Sequence, residues 1–293
     1  MDKTISSSRR HDLAAYLFLA PYLTLFAVFI LLPFVYSLLL SLFRWEMVSL
    51  TPPRFIGWGN YAEALHSDYF WKAMWVTFKF VIMLAPMMLL LSLLAALGIN
   101  ACGAFRQPIY RAAYFIPALI SVSVAGILWR WFYNTDFGLF NAYLSELGWR
   151  IPWITSSKLA IVSIVLMTLW WGIGGTTIIL IAGLQGIPDS YYEAAAIDGA
   201  GRIHQFFYIT LPQLRPILLF ITVMNIIGSF QVFGQTFMIT GGGPELSTRT
   251  MVQYIYETAF TNYRMGYGSA MSWLLFVVIG IFAVMQFRIL KEQ

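Results

Sequence analysis

Long apolar runs, separated by short polar segments, are the dominant pattern along the chain. Each run is long enough to cross a bilayer as an α-helix, which needs about 20 mostly apolar residues. The six runs occupy residues 13–43, 73–101, 109–133, 159–184, 211–239 and 268–290. The pattern therefore predicts an all-α integral membrane protein with six transmembrane helices.

Composition agrees with this class and changes how the charge is interpreted. Hydrophobic residues make up 59% of the chain and charged residues 11%, with a mean hydropathy of +0.72. Soluble domains are nearer half apolar and a quarter charged. The net charge of +5 does not indicate nucleic-acid binding, because Lys and Arg lie mostly near the ends of the apolar runs, where they contact lipid headgroups.

Side chains for catalysis or metal binding do not converge in this pattern. The three histidines lie outside the apolar runs and Cys102 is the single cysteine, so we expect no intramembrane metal site, no disulfide and no catalytic residues. No Gly-x-x-x-x-Gly-Lys-Ser/Thr phosphate loop occurs, so a nucleotide would bind another chain. Gly172-Ile173-Gly174-Gly175 is interpreted as a site of close helix packing.

A polar and small-residue segment at about 186–211 separates the fourth and fifth runs. It carries Glu193-Ala194-Ala195, then Asp198 and Gly199. We predict a short surface helix over 191–197, started by capping at Asp189-Ser190 and with Glu193 in its first turn, where a carboxylate suits the helix dipole. Gly199 and Gly201 permit a sharp turn, and Leu211-Pro212 is predicted to start the next helix.

The spacing in this segment is specific. Glu-Ala-Ala, three residues, Gly199, nine residues and Ile209-x-Leu211-Pro212 follow one another. The pattern resembles the EAA loop of permeases of binding-protein-dependent ABC importers. The outer segments resemble the carbohydrate-uptake (maltose and glycerol-phosphate) subfamily, through the stretches Phe55-Ile56-Gly57-Trp58-Gly59-Asn60-Tyr61, Gly138-Leu139-Phe140-Asn141 and Thr240-Gly241-Gly242-Gly243-Pro244 with Ser247-Thr248. Each such stretch, taken alone, also fits a plain structural turn.

The resemblance implies a set of roles and partners. The short helix would dock in a groove of an ATPase subunit as a coupling helix, and the positions carried over are Glu193, Ala194, Ala195, Asp198, Gly199, Leu211 and Pro212. The implied partners are a second homologous permease, two ATP-binding subunits and an extracytoplasmic solute-binding protein. ATP and Mg²⁺ would bind the ATPase subunits, so this chain is expected to hold no cofactor and to be no enzyme.

The fifth run carries a polar arc. Placed at 100° per residue, Asn225, Gly228, Ser229, Gln231 and Gln235 project within roughly 160°, and an opposite face carries Ile226, Phe230, Phe233 and Phe237. Buried amides and hydroxyls in a membrane face a cavity or a neighbouring helix. Two interpretations stay open here: a substrate path for a sugar, formed by Asn225, Ser229, Gln231 and Gln235, or helix–helix hydrogen bonding.

Topology and domains follow from the same pattern. With the EAA segment in the cytoplasm, the inner loops have the higher Lys/Arg density, which predicts both termini inside a prokaryotic cytoplasmic (inner) membrane. We divide the chain into a tail (1–12), a first helix with its outer loop (13–70) and a core permease domain (71–293). The expected function is import of a sugar or polyol. The alternatives are an ABC permease for a non-sugar solute and an ion-coupled secondary transporter, which would need intramembrane carboxylates.

Overall fold

The computed structural model of this protein describes residues 16–48 and 52–291. The predicted tail (1–12) and the start of the first predicted helix lie outside the described residues. The first helices and strands in chain order are α1 (Tyr16–Ser41), β1 (Phe43–Arg44), β2 (Arg54–Phe55), α2 (Gly59–His66), α3 (Asp68–Asn100), α4 (Gln107–Phe115), α5 (Val122–Phe132) and α6 (Leu139–Glu146). They are followed by α7 (Ala160–Gln185), α8 (Asp189–Ile197), α9 (Arg202–Phe230), α10 (Gly234–Ile239), α11 (Met251–Tyr256) and α12 (Met265–Lys291).

The predicted helical membrane fold is confirmed. Among the described residues, five helices are long and apolar enough to cross a membrane: α1, α3, α7, α9 and residues Met265–Gln286 of α12. A sixth span exists if the bent pair Gln107–Leu119 and Val122–Phe132 counts as one. The only strands described, β1 and β2, pair antiparallel over two residues each.

The third predicted run is not a straight helix. A short 3₁₀ turn, Ile116–Leu119, follows α4, and the chain then bends by 93° into α5. Ile120 is extended, and the Ser121 side chain accepts from the Val124 N–H at 3.4 Å, which caps the new helix. The Trp171 indole N–H donates to the Ile120 carbonyl at 2.9 Å. The Ile120 carbonyl, which lies at the break, is therefore satisfied by a side chain of the neighbouring helix α7. Such a bond permits a helix to break at membrane depth.

The fifth predicted run, 211–239, is also interrupted. Helix α9 ends at Phe230, and α10 begins only at Gly234. The Thr250 hydroxyl donates to the carbonyl of Val232, inside the break, at 2.9 Å. Periodicity at 100° per residue therefore holds for Asn225 and Ser229 but not beyond Phe230.

The start of α9 corrects another expectation. The helix begins at Arg202, nine residues before Leu211, and runs on through Pro212. A five-residue π segment, Phe206–Thr210, precedes the proline, and the Leu211 N–H bonds to the Phe206 carbonyl. Proline lacks an N–H and its ring crowds the preceding turn of a helix. We therefore infer that the wider turn of the π segment accommodates Pro212 within α9. In α1 the π segment Ala27–Leu31 likewise lies two residues before Pro33.

The structure divides into two compact units. One joins residues up to His66 with Ile255–Leu274, and the other joins Ser67–Tyr254 with the residues from Leu275 onward. The division at 70/71 proposed from the sequence remains a prediction about domains.

Asn60 organises the first unit. It is buried, and its side-chain amide donates to the Ser41 carbonyl at 2.8 Å and the Phe43 carbonyl at 2.9 Å. In the same unit Arg264 pairs with Glu63 at 2.7 Å. Asn60 belongs to the stretch from Phe55 to Tyr61 described in the sequence analysis. The bonds of its amide to two backbone carbonyls agree with the interpretation of that stretch as a plain structural turn.

The second unit is centred on α3, which packs along α7 and α9. One buried cluster lies toward the beginning of α3 and includes Phe80, Ile164 and Met167. Another lies toward its end and includes Ala96, Leu180, Leu184, Ile187 and Leu214. We call these the α3-start end and the EAA end, because Ile187 leads directly into the EAA segment.

Asn141 fixes the loop between α5 and α7. Its side-chain amide donates to the carbonyls of Thr135 and Ile151 at 3.1 and 2.9 Å, and its oxygen accepts from the Ile151 N–H and the Trp153 indole at 3.2 Å each. All the hydrogen-bonding capacity of this amide is used. For Gly138-x-x-Asn141, the structure therefore agrees with the structural interpretation.

The predicted close packing at Gly172–Gly175 is confirmed at Gly174. A methyl group at that position would overlap the backbone carbonyl of Tyr114, whereas Gly175 faces open space. Gly174 thus lets α7 approach the α4 segment backbone to backbone.

We expect Gly174→Ala to destabilise the protein by about 1–3 kcal/mol, because a backbone carbonyl cannot move aside as a side chain can. Gly175→Ala is the matched control and should be neutral or slightly stabilising, since alanine favours the helix. Thermal unfolding of the two purified variants measures the difference. Equal melting temperatures would show that α7 and α4 do not pack this closely.

Candidate functional site

The EAA segment folds as a short exposed helix followed by a turn. Helix α8 spans Asp189–Ile197, two residues longer at its start than predicted, and contains no buried residue. The expected cap is wrong: the residue before the helix is Pro188, and no side chain caps it. Asp189 occupies the first turn, so Glu193 lies in the second turn, exposed, and gains less from the helix dipole than expected.

The end of α8 is a Schellman motif. The Gly199 N–H bonds to the Ala196 carbonyl at 3.1 Å, and the Ala200 N–H bonds to the Ala195 carbonyl at 2.8 Å. Gly199 has φ +81°, in the left-handed region that this motif requires at its first residue past the cap. The predicted sharp turn is confirmed at Gly199. Gly201 instead has φ −71° and precedes α9.

Three polar side chains tie this turn to α9. The Gln205 amide donates to the carbonyls of Ala200 at 3.2 Å and Tyr192 at 3.4 Å. The Tyr192 and Thr210 hydroxyls share a hydrogen bond of 2.9 Å. Tyr192 also packs on the buried cluster at the EAA end. Helix α8 is therefore tied to α9 by hydrogen bonds from its middle and from the turn that follows it.

The outer surface of the segment is apolar as well as exposed. Ile197, Ile203 and Tyr208 are 87%, 77% and 70% exposed, and the Tyr208 ring stacks on His204 with centroids 4.2 Å apart. A cleft of about 460 Å³ lies beside Ala195, Asp198, Gly199, Gly201 and Tyr208. Large apolar side chains projecting from a polar loop are typical of a protein-docking surface.

A second feature of the same unit is a cavity of about 210 Å³ between α3, α7 and α9. Its lining has no charged residue and consists of Phe80, Leu84, Met88, Thr168, Trp171, Gly172, Thr176, Met224, Asn225, Gly228, Ser229, Val232 and Gln235. The second helix break borders it through Val232, and Trp171, which donates to the first break, also lines it. The cavity combines hydroxyls, amides and one indole, which are groups that bind neutral polar molecules.

The structure brings together most of the polar arc. Asn225, Ser229 and Gln235 line the cavity, with Gly228 between them, although Gln235 comes from α10 and not from α9. Gln231 does not line it and is exposed. The buried side-chain nitrogen of Asn225 has no hydrogen-bond partner within residues 16–48 and 52–291, a costly condition unless a ligand or water binds there.

The aromatic residues assigned to the opposite face differ from one another. Phe230 is fully buried against Phe78 and Phe282, with ring centroids 5.4 and 5.3 Å away. Phe237 is 37% exposed. Phe230→Leu would therefore remove core contacts and lower the stability of the protein.

Four lining residues come from α7, and of these the sequence pattern pointed only to Gly172, as a site of helix packing. Thr168 and Thr176 resemble ordinary helical threonines, and Thr168 also bonds back to the Ile164 carbonyl at 2.8 Å. Their spacing from Trp171 and Gly172, at three- and four-residue steps, was the available signal. No group of histidine, cysteine and carboxylate side chains in the described residues could hold a metal ion.

Comparison with known proteins identifies the family. A family model described as "Binding-protein-dependent transport system inner membrane component" matches residues 89–291. This chain belongs to that family. It is a multi-pass transport permease component, and the match includes the EAA segment and all cavity residues on α7, α9 and α10.

Two relatives match almost the whole chain. The probable ABC transporter permease protein YesP of Bacillus subtilis strain 168 is 36% identical over 292 residues, which cover 98% of this chain and 93% of YesP. The sulfoquinovosyl glycerol transport system permease protein SmoG of Agrobacterium fabrum strain C58 is 34% identical over 282 residues, covering 96% and 91%.

A solved structure confirms the fold of the permease. It is the crystal structure of a bacterial ABC transporter involved in the import of the acidic polysaccharide alginate, with a TM-score of 0.83 and 21% identity, covering 99% of each chain. At this identity the match supports the arrangement of helices only.

Proposed function

We propose that this permease is the transmembrane subunit of an ATP-driven ABC importer that translocates a sugar or related polyol. The observation that carries the proposal is the tie between the exposed helix α8 and α9, which itself lines the cavity through Asn225 and Ser229. One continuous helix thus joins a docking surface to a polar cavity. Family membership and the carbohydrate-related names of relatives such as SmoG support the same function.

Coupling to ATP hydrolysis would act through α8. A partner ATPase would bind the exposed apolar residues and the cleft beside Gly199. When the nucleotide sites of the ATPase close, it would move α8. The bonds of Gln205 and of Tyr192 with Thr210 transmit that movement to α9. Movement of α9 then changes the cavity, which alternates between the two membrane faces.

The cavity chemistry favours a neutral polar solute. The unpartnered amide of Asn225 and the amide of Gln235 offer donors and acceptors to hydroxyl groups. The Trp171 indole offers an apolar face of the kind that packs against a sugar ring. A non-sugar solute with the same hydroxyl pattern is the second candidate within this function.

An ion-coupled secondary transporter lacks support. Such a mechanism uses carboxylates within the membrane. Among the described candidate spans, the only acidic residue is Asp68, in the first turn of α3.

The proposal includes partners that complete the importer. They are a second homologous permease, two ATP-binding subunits that bind ATP and Mg²⁺, and an extracytoplasmic binding protein that delivers the solute. The EAA segment would lie in the cytoplasm, with both termini on that side of a prokaryotic inner membrane.

Changes in the EAA segment should uncouple transport from hydrolysis. Gly199→Asp adds a side chain in the left-handed conformation, at a cost of about 1 kcal/mol or more in the turn, and puts a second negative charge next to Asp198. Glu193→Lys reverses an exposed charge at the docking surface. We expect transport per ATP hydrolysed to fall about tenfold or more with membrane insertion intact, measured on the assembled complex with and without binding protein.

Gly199→Asn is the matched control, because asparagine and aspartate both tolerate a positive φ and only aspartate adds a charge, so Gly199→Asn should retain most coupling. Normal transport and normal stimulation by the binding protein in both the Asp and Lys variants would contradict the coupling role.

Cavity residues should affect substrate uptake. Asn225→Leu and Gln235→Leu remove hydrogen-bond partners at similar volume, so each should lower uptake per complex about five- to thirtyfold, from about 1–2 kcal/mol per lost bond. Gln231→Leu, outside the cavity, is the matched control and should be mild. Lower yield or melting temperature with unchanged selectivity among several sugars would instead indicate helix packing.

The position of Cys102 tests the orientation. It follows α3 at the EAA end and is the free cysteine of the chain, partly exposed. In intact cells a membrane-impermeant thiol reagent should not label it, whereas inverted membrane vesicles should expose it. Labelling in intact cells at the rate of an exposed thiol would invert the topology.

A further inference from the structure

A pocket at the α3-start end gathers most of the chain's lysines. Of five lysines in the sequence, Lys72, Lys79 and Lys158 line this one pocket of about 480 Å³. The other lining residues are Trp75, Val76, Met83, Ser157, Ile161, Val162, Glu245 and Ser247. The pocket lies within the second unit, at the opposite end of α3 from the EAA segment.

Helical spacing explains how α3 contributes. Lys72, Trp75, Lys79 and Met83 follow one another at three- and four-residue steps, so they share one face of the helix. The two lysines are seven positions apart, which places Lys79 about 10 Å further along the helix axis, toward the middle of α3. Its ammonium nitrogen lies 5.5 Å from the centroid of the Trp75 ring.

The positive charge of the pocket exceeds the negative charge that the described residues bring to it. In the described part of the chain, none of the three lysines takes part in an ion pair. One carboxylate, Glu245, also lines the pocket and accepts from the Ser157 hydroxyl at 3.2 Å. Three ammonium groups against one carboxylate leave the pocket with two positive charges in excess.

The pocket is amphipathic. The lysines and Ser157 form its polar part, while Val76, Met83, Ile161 and Val162 form an apolar wall. The buried hydroxyl oxygen of Ser247 has no hydrogen-bond partner among the described residues. A ligand with an anionic oxygen group and an apolar portion would satisfy both parts.

We propose that this pocket binds a phosphate-type oxyanion, with the headgroup phosphate of an anionic phospholipid as its source. The phosphate lies among Lys72, Lys79 and Lys158, and the acyl chains follow the wall formed by Met83, Ile161 and Val162. This site is separate from the neutral cavity beside α9. It does not depend on the transported solute.

Lipid retention by the purified importer complex tests the site. Native mass spectrometry would compare phosphatidylglycerol with phosphatidylcholine of identical acyl chains. We expect preferential, salt-sensitive retention of phosphatidylglycerol, weakened about fivefold by Lys79→Gln and by Lys158→Gln. Arg54→Gln removes one exposed positive charge outside the pocket and should change nothing.

Glu245→Gln should change the retention of phosphatidylglycerol in the opposite direction. It removes the competing carboxylate but keeps an acceptor for Ser157, so retention of phosphatidylglycerol should become tighter by a few fold. A misfolded variant would lose lipid and not gain it. Equal retention of both lipids, unchanged retention in the lysine variants, or weaker retention in Glu245→Gln would each overturn the proposal.

Competition with inorganic phosphate distinguishes the two sources of the oxyanion. Phosphatidylglycerol that stays bound in excess phosphate identifies the lipid headgroup. Complete displacement of phosphatidylglycerol by millimolar phosphate identifies a free oxyanion as the ligand of the same lysines. In that case Lys79→Gln should abolish the effect of phosphate.

Discussion

The satisfaction of backbone polar groups inside the membrane is the constraint on which the rest of this structure depends. Lipid offers no hydrogen bonds, so a transmembrane helix can break only where protein groups replace the missing partners. Trp171 supplies a donor to Ile120 at the first break, and Thr250 supplies one to Val232 at the second. The helices can therefore be interrupted at two points without leaving these carbonyls unsatisfied.

The second break contributes Val232 to the cavity directly, and the first is connected to it through Trp171. A straight third span would run on past residue 120, and a straight fifth span would place Gln231 and Gln235 on one continuous helix. The break moves Gln231 to an exposed position and brings Gln235 into the cavity from α10. Trp171 has two roles, because it supports the first break and also lines the cavity. The place of Gln235 in the lining thus depends on the second break, whereas Asn225 and Ser229 reach it from the unbroken part of α9.

Prolines and glycines set the geometry elsewhere for related reasons. The π segment before Pro212 allows α9 to begin at Arg202, so the turn at Gly199 connects directly to the helix that reaches the cavity. Gly174 removes the side chain that would separate α7 from the α4 segment. The bonds of Gln205 and Tyr192 then tie α8 to this rigid frame. Surface helix, turn and cavity wall form one connected path of packed and hydrogen-bonded groups.

The sequence by itself determined the membrane class, the approximate positions of the spans, the EAA helix and the turn at Gly199, because apolar run length and glycine conformation are local properties. It did not determine where helices break, since the donors from Trp171 and Thr250 lie 51 and 18 residues away from the carbonyls that they satisfy. Periodicity alone placed Gln231 in the same polar arc as Asn225, and it could not foresee that α9 ends at Phe230. Tertiary packing decided that Thr168 and Thr176 line the cavity. It also decided that three lysines, from α3 and from the loop before α7, meet in one pocket. Packing brings such distant segments together without a local signal in the sequence.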